Sequence, residues 1–171
     1  MRISIIGYSG SGKSTLAALY GRAHSMPVLH MDTAHWLAGW QERPKEERAA
    51  IVRRFLDENR DWAIDGNYSQ VFYEERMEKA DRIIFLNFNR FLCLYRAWKR
   101  KNQYAGRSRP DMTEGCEEKL DMEFALWILR DSRTKKARAR YRRLQEKYPE
   151  KFVEIKNPRQ LAAYIEKENL N

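Results

Sequence analysis

Residues 7–14 have the sequence Gly-Tyr-Ser-Gly-Ser-Gly-Lys-Ser, which matches the phosphate-binding pattern G-x-x-x-x-G-K-[ST] at every specified position. A short apolar segment precedes this loop and an amphipathic segment follows it, as a strand and a helix would. The glycines allow successive backbone N–H groups to converge on an anion, and the helix adds its positive dipole end. Lys13 can reach the β- and γ-phosphates, and the Ser14 hydroxyl can bind Mg²⁺. The pattern predicts a site for a nucleoside triphosphate with Mg²⁺.

Two aspartates stand where predicted strands end. Asp32 follows a strand predicted over residues 27–31, and Asp65 ends a strand predicted over residues 62–65. Ligands of parallel sheets bind at the carboxyl ends of the strands, so both carboxylates are expected beside the loop. We expect Asp65 to support Mg²⁺, and Asp32 to orient or deprotonate an acceptor hydroxyl or to bind Mg²⁺ through water. The alternatives are an Asp-Gly turn at residue 65 and a helix N-cap at residue 32.

Arginines before and within one loop form a third feature of the predicted site. Arg96 and Arg100 are four residues apart, so they share one face of a predicted helix. Arg107 and Arg109 follow in a loop that contains two glycines and a proline. Such a loop can close over a nucleotide and neutralise the charge that spreads over the transferring phosphoryl group. A solvated basic surface is the alternative interpretation.

The predicted site residues follow from these three features. Nucleotide binding is assigned to the loop, the start of the next helix and two arginines: Gly7, Ser9, Gly10, Ser11, Gly12, Lys13, Ser14, Thr15, Arg96 and Arg100. Catalysis is assigned to Lys13, Asp32, Asp65, Arg107 and Arg109. Mg²⁺ binding is assigned to Ser14 and Asp65.

Strands and helices alternate along the chain. Strands are predicted over residues 2–6, 27–31, 62–65, 82–88 and 152–155. Helices are predicted over residues 13–23, 45–59, 91–104, 120–147 (as one helix or as two broken near 131–134) and from 158 onwards. This alternation predicts an α/β fold in which helices cover both faces of a parallel sheet. We expect one P-loop nucleotide-binding domain over residues 1–171, with a lid or insert around residues 104–119.

Composition narrows the class of protein further. A length of 171 residues fits one compact domain, and 43% hydrophobic residues are enough for a core. The apolar runs are far shorter than the roughly 20 residues of a membrane span, and no signal-peptide pattern is present. Cys93 and Cys116 form neither a C-x-x-C pair nor a zinc set with the histidines. We therefore expect a cytoplasmic protein with reduced thiols and no membrane segment.

The net charge of +9 is concentrated in two segments. Residues 88–110 hold seven basic residues and no acidic one, and residues 130–143 hold eight basic residues and one acidic residue. This clustering predicts a polyanionic partner, and both nucleotide phosphates and nucleic acid fit that description. Contact of the second segment with DNA is one interpretation. An exposed helix whose charges suit its dipole is the other, since no DNA-reading motif accompanies it.

The chain resembles known families. Its phosphate loop, its Asp-Gly pair after the third strand and its arginine-bearing loop are similar to the adenylate kinase and shikimate kinase group of small P-loop kinases. More closely, residues 32–36, 62–68 (Trp-Ala-Ile-Asp-Gly-Asn-Tyr), 91–96 (Phe-Leu-Cys-Leu-Tyr-Arg) and 109–112 (Arg-Pro-Asp-Met) resemble the bacterial "DNA topology modulation protein" family. The resemblance implies a three-layer α/β/α P-loop NTPase fold with a five-stranded parallel sheet and a small arginine-bearing lid. It implies ATP as the nucleotide, with Lys13 and Ser14 on its β- and γ-phosphates and Mg²⁺. It also implies Arg96 near the adenine or the phosphates as the first lid arginine.

One departure from the adenylate kinases concerns the acceptor. Those kinases continue Asp-Gly with Phe-Pro-Arg, whose arginine binds the nucleoside monophosphate, whereas this chain has Asn67 and Tyr68. A standard monophosphate is therefore not the expected acceptor, or it is held differently. We expect transfer of the ATP γ-phosphoryl group, with Mg²⁺, to a nucleotide or another small acceptor. The alternatives are an ATP-dependent regulator of DNA topology without kinase activity and a nucleotide-gated binding module with slow hydrolysis.

Overall fold

A five-stranded sheet forms the centre of the computed structural model, which describes residues 1–170. Its strands are β1 (Arg2–Gly7), β2 (Val28–His30), β5 (Trp62–Asp65), β6 (Arg82–Leu86) and β7 (Phe152–Ile155), numbered in chain order with a separate hairpin between β2 and β5. The order across the sheet is β2-β5-β1-β6-β7, and all four pairings are parallel. The predicted five strands and the predicted parallel sheet are confirmed.

Helices connect the strands and cover the sheet. They are α1 (Lys13–His24), α2 (Met31–His35), α3 (Lys45–Glu58), α4 (Tyr73–Lys79), α5 (Arg90–Gln103), α6 (Met122–Leu129), α7 (Lys135–Lys147) and α8 (Pro158–Lys167). The predicted helix over residues 120–147 is two helices, separated by a 3₁₀ turn at Asp131–Arg133. The Thr134 side chain accepts a hydrogen bond from the N–H of Ala137, so it caps the start of α7.

The core lies against both faces of the central strands. Ile3, Ile5 and Ile6 of β1 are completely buried, and so are Ile83 and Ile84 of β6. Consecutive apolar residues in one strand point to opposite faces, so a strand that is apolar throughout requires cover on both sides. The helices provide that cover, and the polar ends of the strands remain at one edge of the sheet. No helix within residues 1–170 is long and apolar enough to cross a membrane.

The chain between β2 and β5 contains structure that the sequence analysis did not predict. Residues Met31–His35 form the short helix α2, and Trp36–Leu37 (β3) pairs with Gln41–Glu42 (β4) as a small antiparallel hairpin. Asp32 was predicted to follow a strand directly, but β2 ends at His30 and Asp32 lies in the first turn of α2. Two-residue strands carry no detectable period, which is why the hairpin was missed.

Gly10 brings the phosphate-binding loop into close contact with α5. Its φ is +77°, and a Cβ at this position would overlap the backbone carbonyl oxygen of Cys93. We expect Gly10→Ala to lower the free energy of unfolding by about 2–5 kcal/mol, because left-handed strain of about 1–2 kcal/mol adds to overpacking of about 1–3 kcal/mol. Denaturant unfolding of the two proteins measures the difference.

Gly106→Ala is the matched control for this substitution. Gly106 has a φ of +68°, and no heavy atom lies within 4 Å of its Cβ position. This variant should lower the free energy of unfolding only by the left-handed backbone strain, about 1–2 kcal/mol. Equal losses in the two variants would contradict the close approach of Gly10 to α5.

Candidate active site

The phosphate-binding loop, residues 7–14, lies at one end of a cavity of 1240 Å³. Lys13 Nζ donates a hydrogen bond to the Tyr8 carbonyl oxygen at 3.1 Å, and the Ser11 N–H donates to the same oxygen at 3.2 Å. Gly12, the N-cap residue of α1, has no side chain that could bond to the first N–H groups of this helix. These N–H groups and the Lys13 ammonium can bind an anion in the cavity.

Most of the predicted loop residues line this cavity. Those that do are Ser9, Gly10, Gly12, Lys13, Ser14 and Thr15. Gly7 and Ser11 do not, since Ser11 is completely buried and Gly7 is hydrogen-bonded to a neighbouring strand end. Burial lowers the pKa of Lys13, and the charges of Asp32 and Asp65 oppose that effect. Lys13 and both predicted carboxylates therefore line the same cavity.

Asp65 is buried and forms a pair with His30. Strands β2 and β5 place the two residues directly opposite each other, and His30 Nδ1 lies 2.7 Å from Asp65 Oδ2. Burial disfavours the charged imidazole, but the hydrogen bond and charge of Asp65, with the charges of Asp111 and Asp32, raise the pKa of His30. The sequence analysis gave His30 no role, because the pairing depends on which strands are neighbours.

Asp32 forms a second pair, with Tyr68. The Tyr68 hydroxyl donates a hydrogen bond to Asp32 Oδ1 at 2.6 Å, and both residues line the cavity. Burial, followed by the charge of Asp32, raises the pKa of Tyr68, so the hydroxyl keeps its proton. His35 packs against Tyr68 with ring centroids 4.6 Å apart, and the buried Arg48 contacts the His35 ring nitrogen. Burial and the Arg48 charge lower the pKa of His35.

The turn after β5 is attached to the phosphate loop and to α4. Asn67 accepts a hydrogen bond from the Gly7 N–H at 3.0 Å and donates one to the Gly7 carbonyl oxygen at 2.7 Å. Arg76 of α4 is completely buried and donates to the carbonyl oxygens of Gly66 and Tyr68. Burial lowers the pKa of Arg76 to about 10. These contacts fix the positions of Asp65 and Tyr68 relative to the loop.

The predicted arginines separate into two groups. Arg96, Arg100 and Arg109 line the cavity, whereas Arg107 is exposed and does not. Arg96 donates to the Ser11 carbonyl oxygen at 3.2 Å. Arg100 and Arg109 each lie 2.6 Å from one oxygen of the buried Glu118. Spacing along the chain could not show which loop arginine points inward.

The predicted lid, residues 104–119, is docked on the β3–β4 hairpin. Thr113 Oγ1 donates to the Trp36 carbonyl oxygen at 2.7 Å, and the Gly39 N–H donates to the Gly115 carbonyl oxygen at 2.9 Å. Trp40 Nε1 donates to the Glu117 carbonyl oxygen at 3.0 Å. The predicted lid and the hairpin are therefore joined, and residues of both line the cavity.

Arg133, which belongs to the basic run over residues 130–143, packs against Tyr8 of the phosphate-binding loop. The Arg133 guanidinium lies 3.6 Å from the centroid of the Tyr8 ring and donates to the Phe88 carbonyl oxygen at 2.8 Å. Arg140 lies over the rings of Tyr73 and Tyr141. The exposed members of the run are Arg130, Lys135, Lys136, Arg138, Arg142 and Arg143.

Glu118 connects the lid to the helix α5, although the sequence analysis did not single it out. Glu118 pairs with both Arg100 and Arg109. The substitution Glu118→Gln should therefore lower the free energy of local unfolding of residues 104–119 by about 3 kcal/mol. We expect backbone amides of residues 104–119 to exchange hydrogen about a hundredfold faster in this variant. The measurement is native-state hydrogen exchange read by mass spectrometry.

Glu117→Gln is the control for the Glu118 substitution. Glu117 is exposed, and it contacts Trp40 through its backbone carbonyl oxygen, which the substitution retains. Its exchange should equal that of the unmodified protein. Unchanged lid exchange in Glu118→Gln would show that this carboxylate does not hold the lid.

Comparison with known proteins finds similar solved structures but no match by sequence. No protein-family model matches this chain, and no curated protein matches it. It is similar to a gluconokinase from Sinorhizobium meliloti, with a TM-score of 0.51 and 17% identity over 99% of this chain and 94% of that one. It is also similar to a shikimate kinase from Acinetobacter baumannii, solved in complex with shikimate (TM-score 0.54, 20% identity, 99% and 92% covered). An uncharacterised protein from Eubacterium ventriosum has a TM-score of 0.54 and 15% identity, with 98% and 97% covered.

These similarities concern the fold, because the identities do not exceed 20%. This chain therefore shares its fold with a gluconokinase and a shikimate kinase. The predicted α/β fold class is confirmed. The narrower resemblance to the DNA topology modulation protein family is not confirmed by them and stays a prediction.

Proposed function

We propose that this chain, which has the fold of small P-loop kinases, transfers the γ-phosphoryl group of ATP to a nucleotide or another small acceptor with Mg²⁺. One observation carries the proposal. A single cavity of 1240 Å³ brings Lys13 and Ser14 of the phosphate loop together with Asp32 and Asp65 at the strand ends. Its volume is sufficient for a nucleotide and a small second substrate.

The nucleotide phosphates are assigned to the loop end of the cavity. Backbone N–H groups of the loop and of the first turn of α1 would hold the phosphate oxygens. Lys13, which bonds only to the Tyr8 carbonyl oxygen among its described hydrogen bonds, would turn to the β- and γ-phosphates. The nucleoside would extend along α1 toward Leu161 and Ile165 of α8, which line the same cavity.

Mg²⁺ fits the oxygen donors present at this end. It prefers one or two carboxylates with phosphate oxygens and water, and Ser14 and Asp65 offer a hydroxyl and a carboxylate in one cavity. Residues 1–170 contain no cluster of three or more His, Cys, Asp or Glu side chains that could hold a metal. We assign the remaining ligands to nucleotide phosphates and water. When bound, Mg²⁺ neutralises charge on the β- and γ-phosphates.

Asp32 is the proposed base. Its Oδ1 accepts a hydrogen bond from the Tyr68 hydroxyl, which leaves Oδ2 to take a proton from the acceptor. The acceptor oxygen forms a bond to the γ-phosphorus, the bond from that phosphorus to the β–γ bridging oxygen breaks, and ADP leaves. The acceptor hydroxyl proton passes to Asp32.

Arginines complete the proposed site. Arg96, Arg100 and Arg109 line the cavity and can neutralise charge on the transferring phosphoryl group. Glu118 holds Arg100 and Arg109 side by side. The proposed catalytic role of Arg107 requires the lid to rearrange when the nucleotide binds, because its side chain is exposed.

The experiment is a search for a stimulated reaction. ATP and Mg²⁺ are mixed with the protein and with single members of a panel of nucleosides, nucleoside monophosphates and hydroxylated metabolites. The proposal expects one acceptor to increase ADP formation, with an equal amount of phosphorylated product. ADP formation that no acceptor changes, with all label released as free phosphate, would contradict it.

A second candidate function is ATP-dependent action on DNA, and the exposed basic residues around α7 favour it. Those residues are Arg130, Lys135, Lys136, Arg138, Arg142 and Arg143. Contacts with several DNA phosphates make binding strongly salt-dependent. Supercoiled DNA would then stimulate ATP consumption at low salt and lose that effect as salt rises. ATP consumption that DNA does not alter at either salt concentration would exclude this function.

A further inference from the structure

The part of the cavity around the proposed base combines carboxylates with aromatic rings. We define the acceptor end as Asp32, Trp36, Trp40, Tyr68 and Asp111, all of which line the cavity. The two indole rings lie edge to face with centroids 5.5 Å apart. Asp111 and three aromatic rings thus line the cavity together with the proposed base, Asp32.

Two cations that line the cavity with these residues, Arg109 and His30, already have partners. Arg109 Nη1 donates to Asp111 Oδ2 at 2.9 Å, and Arg109 Nε lies 2.6 Å from Glu118 Oε2. His30 pairs with Asp65. These pairs leave neither the guanidinium nor the imidazole free to neutralise a negatively charged acceptor.

The Asp32 carboxylate differs from these paired groups in its hydrogen-bond partner. Its described hydrogen bond comes from Tyr68, a neutral hydroxyl that stays protonated. A neutral donor does not cancel the charge of a carboxylate, so Asp32 adds negative potential to the acceptor end. Asp111 lines the same part of the cavity, where it is paired with Arg109.

The indole rings favour a cation at the same place. The negative face of an indole ring attracts ammonium groups within about 6 Å of its centroid. Lys119 shows this directly, since its Nζ lies 5.4 Å from the centroid of the Trp40 ring. Trp36 has no such cation on its face among the contacts within residues 1–170.

We infer that the acceptor is a small hydroxylated molecule that carries a positively charged amino group, and that it is neither a carboxylate nor a phosphate ester. The inference rests on the proposed phosphoryl transfer and specifies its second substrate. The amino group would lie between Asp32, Asp111 and the Trp36 face, with a hydroxyl directed to Asp32 and the γ-phosphate. A carboxylate in that position would face Asp32, and the nearby Arg109 is already paired with Asp111 and Glu118.

The test uses acceptor sets that differ only in charge. Each set contains an amino sugar, the parent neutral sugar and the corresponding sugar acid. Binding is measured by quenching of tryptophan fluorescence and turnover by ADP formation, both with ATP and Mg²⁺ present. We expect the amino sugar to bind and react at least tenfold better than either counterpart. Equal responses across the three charges, including no response, or a preference for the acid would overturn the inference.

Asp111→Asn is a second test of the same inference. It removes one negative charge and one of the two carboxylate partners of Arg109, so the preference for the amino sugar should fall and binding of the sugar acid should increase. Glu114→Gln is the control, because Glu114 is an exposed lid residue that does not line the cavity. An unchanged charge preference in Asp111→Asn would also overturn the inference.

Titration with ATP alone separates this inference from the proposed function. Binding of ATP with Mg²⁺ together with transfer to an acid or a neutral sugar would retain the phosphotransferase and reject the amino acceptor. Failure to bind ATP in the absence of any acceptor would reject the proposed function itself.

Discussion

The Lys13→Ala variant is expected to lose turnover by at least about 10²–10³-fold, with ATP binding strongly weakened and the fold retained. Within residues 1–170 the ammonium has no carboxylate partner at hydrogen-bond distance; it bonds to the Tyr8 carbonyl oxygen at 3.1 Å. Because it lies in the loop and not in the core, its removal costs little folding free energy. ATP titration, ADP formation and thermal unfolding measure the three quantities.

Lys99→Ala is the matched control for Lys13. Lys99 is also a lysine that lines the cavity, but it is exposed on α5 and lies outside the phosphate loop. Its replacement should lower ATP affinity only slightly, because an exposed charge is screened by water and salt. If Lys13→Ala bound ATP with Mg²⁺ as tightly as the unmodified protein, the assignment of the nucleotide site would be wrong.

The Asp32→Asn variant is expected to lose about 10²–10⁴-fold in kcat, the usual contribution of a positioned general base. The amide keeps the shape of the side chain, and its oxygen can still accept a hydrogen bond from the Tyr68 hydroxyl. It cannot take up a proton from the acceptor. ATP affinity should change little, since the loop that holds the phosphates is untouched. Steady-state rates with the acceptor found in the panel, together with ATP titration, measure both.

Tyr68→Phe separates a base from a structural carboxylate. It removes the hydroxyl that donates to Asp32 but leaves the carboxylate in place, so kcat should fall less than in Asp32→Asn. A kcat in Asp32→Asn equal to that of the unmodified protein would exclude the aspartate as the base. A loss of ATP binding in that variant would instead place Asp32 with the nucleotide.

The fold and the phosphate loop could be predicted because their determinants are local. The loop pattern is contiguous, and apolar strands alternate with amphipathic helices over most of the chain. Asp65 was placed correctly at a strand end, and Arg96 and Arg100 share the helix face that lines the cavity. Each of these predictions needs only the neighbours of a residue along the chain.

The pairs within the site could not be predicted, because they join distant segments. His30 meets Asp65 only because β2 and β5 are neighbours in the sheet, and the order of strands is not written in any one segment. Tyr68 meets Asp32 only because α2 follows β2 directly. Asn67 carries no motif that reveals its two hydrogen bonds to Gly7.

The lid was predicted only as a loop with arginines. Its glycines and its proline indicated irregular structure, but they could not indicate that Arg109 turns inward while Arg107 stays exposed. Glu118 was missed for the same reason, since its role depends on Arg100 and Arg109 meeting in space.

The most direct test of the central claim follows the terminal phosphate of ATP. ATP labelled at the γ-position is incubated with Mg²⁺, the acceptor panel and either the unmodified protein or Lys13→Ala. The account predicts that the unmodified protein moves the label to a small acceptor while ADP forms in equal amount, and that the variant does not. Label that stays in ATP, or appears only as free phosphate whatever acceptor is present, would contradict phosphoryl transfer by this cavity.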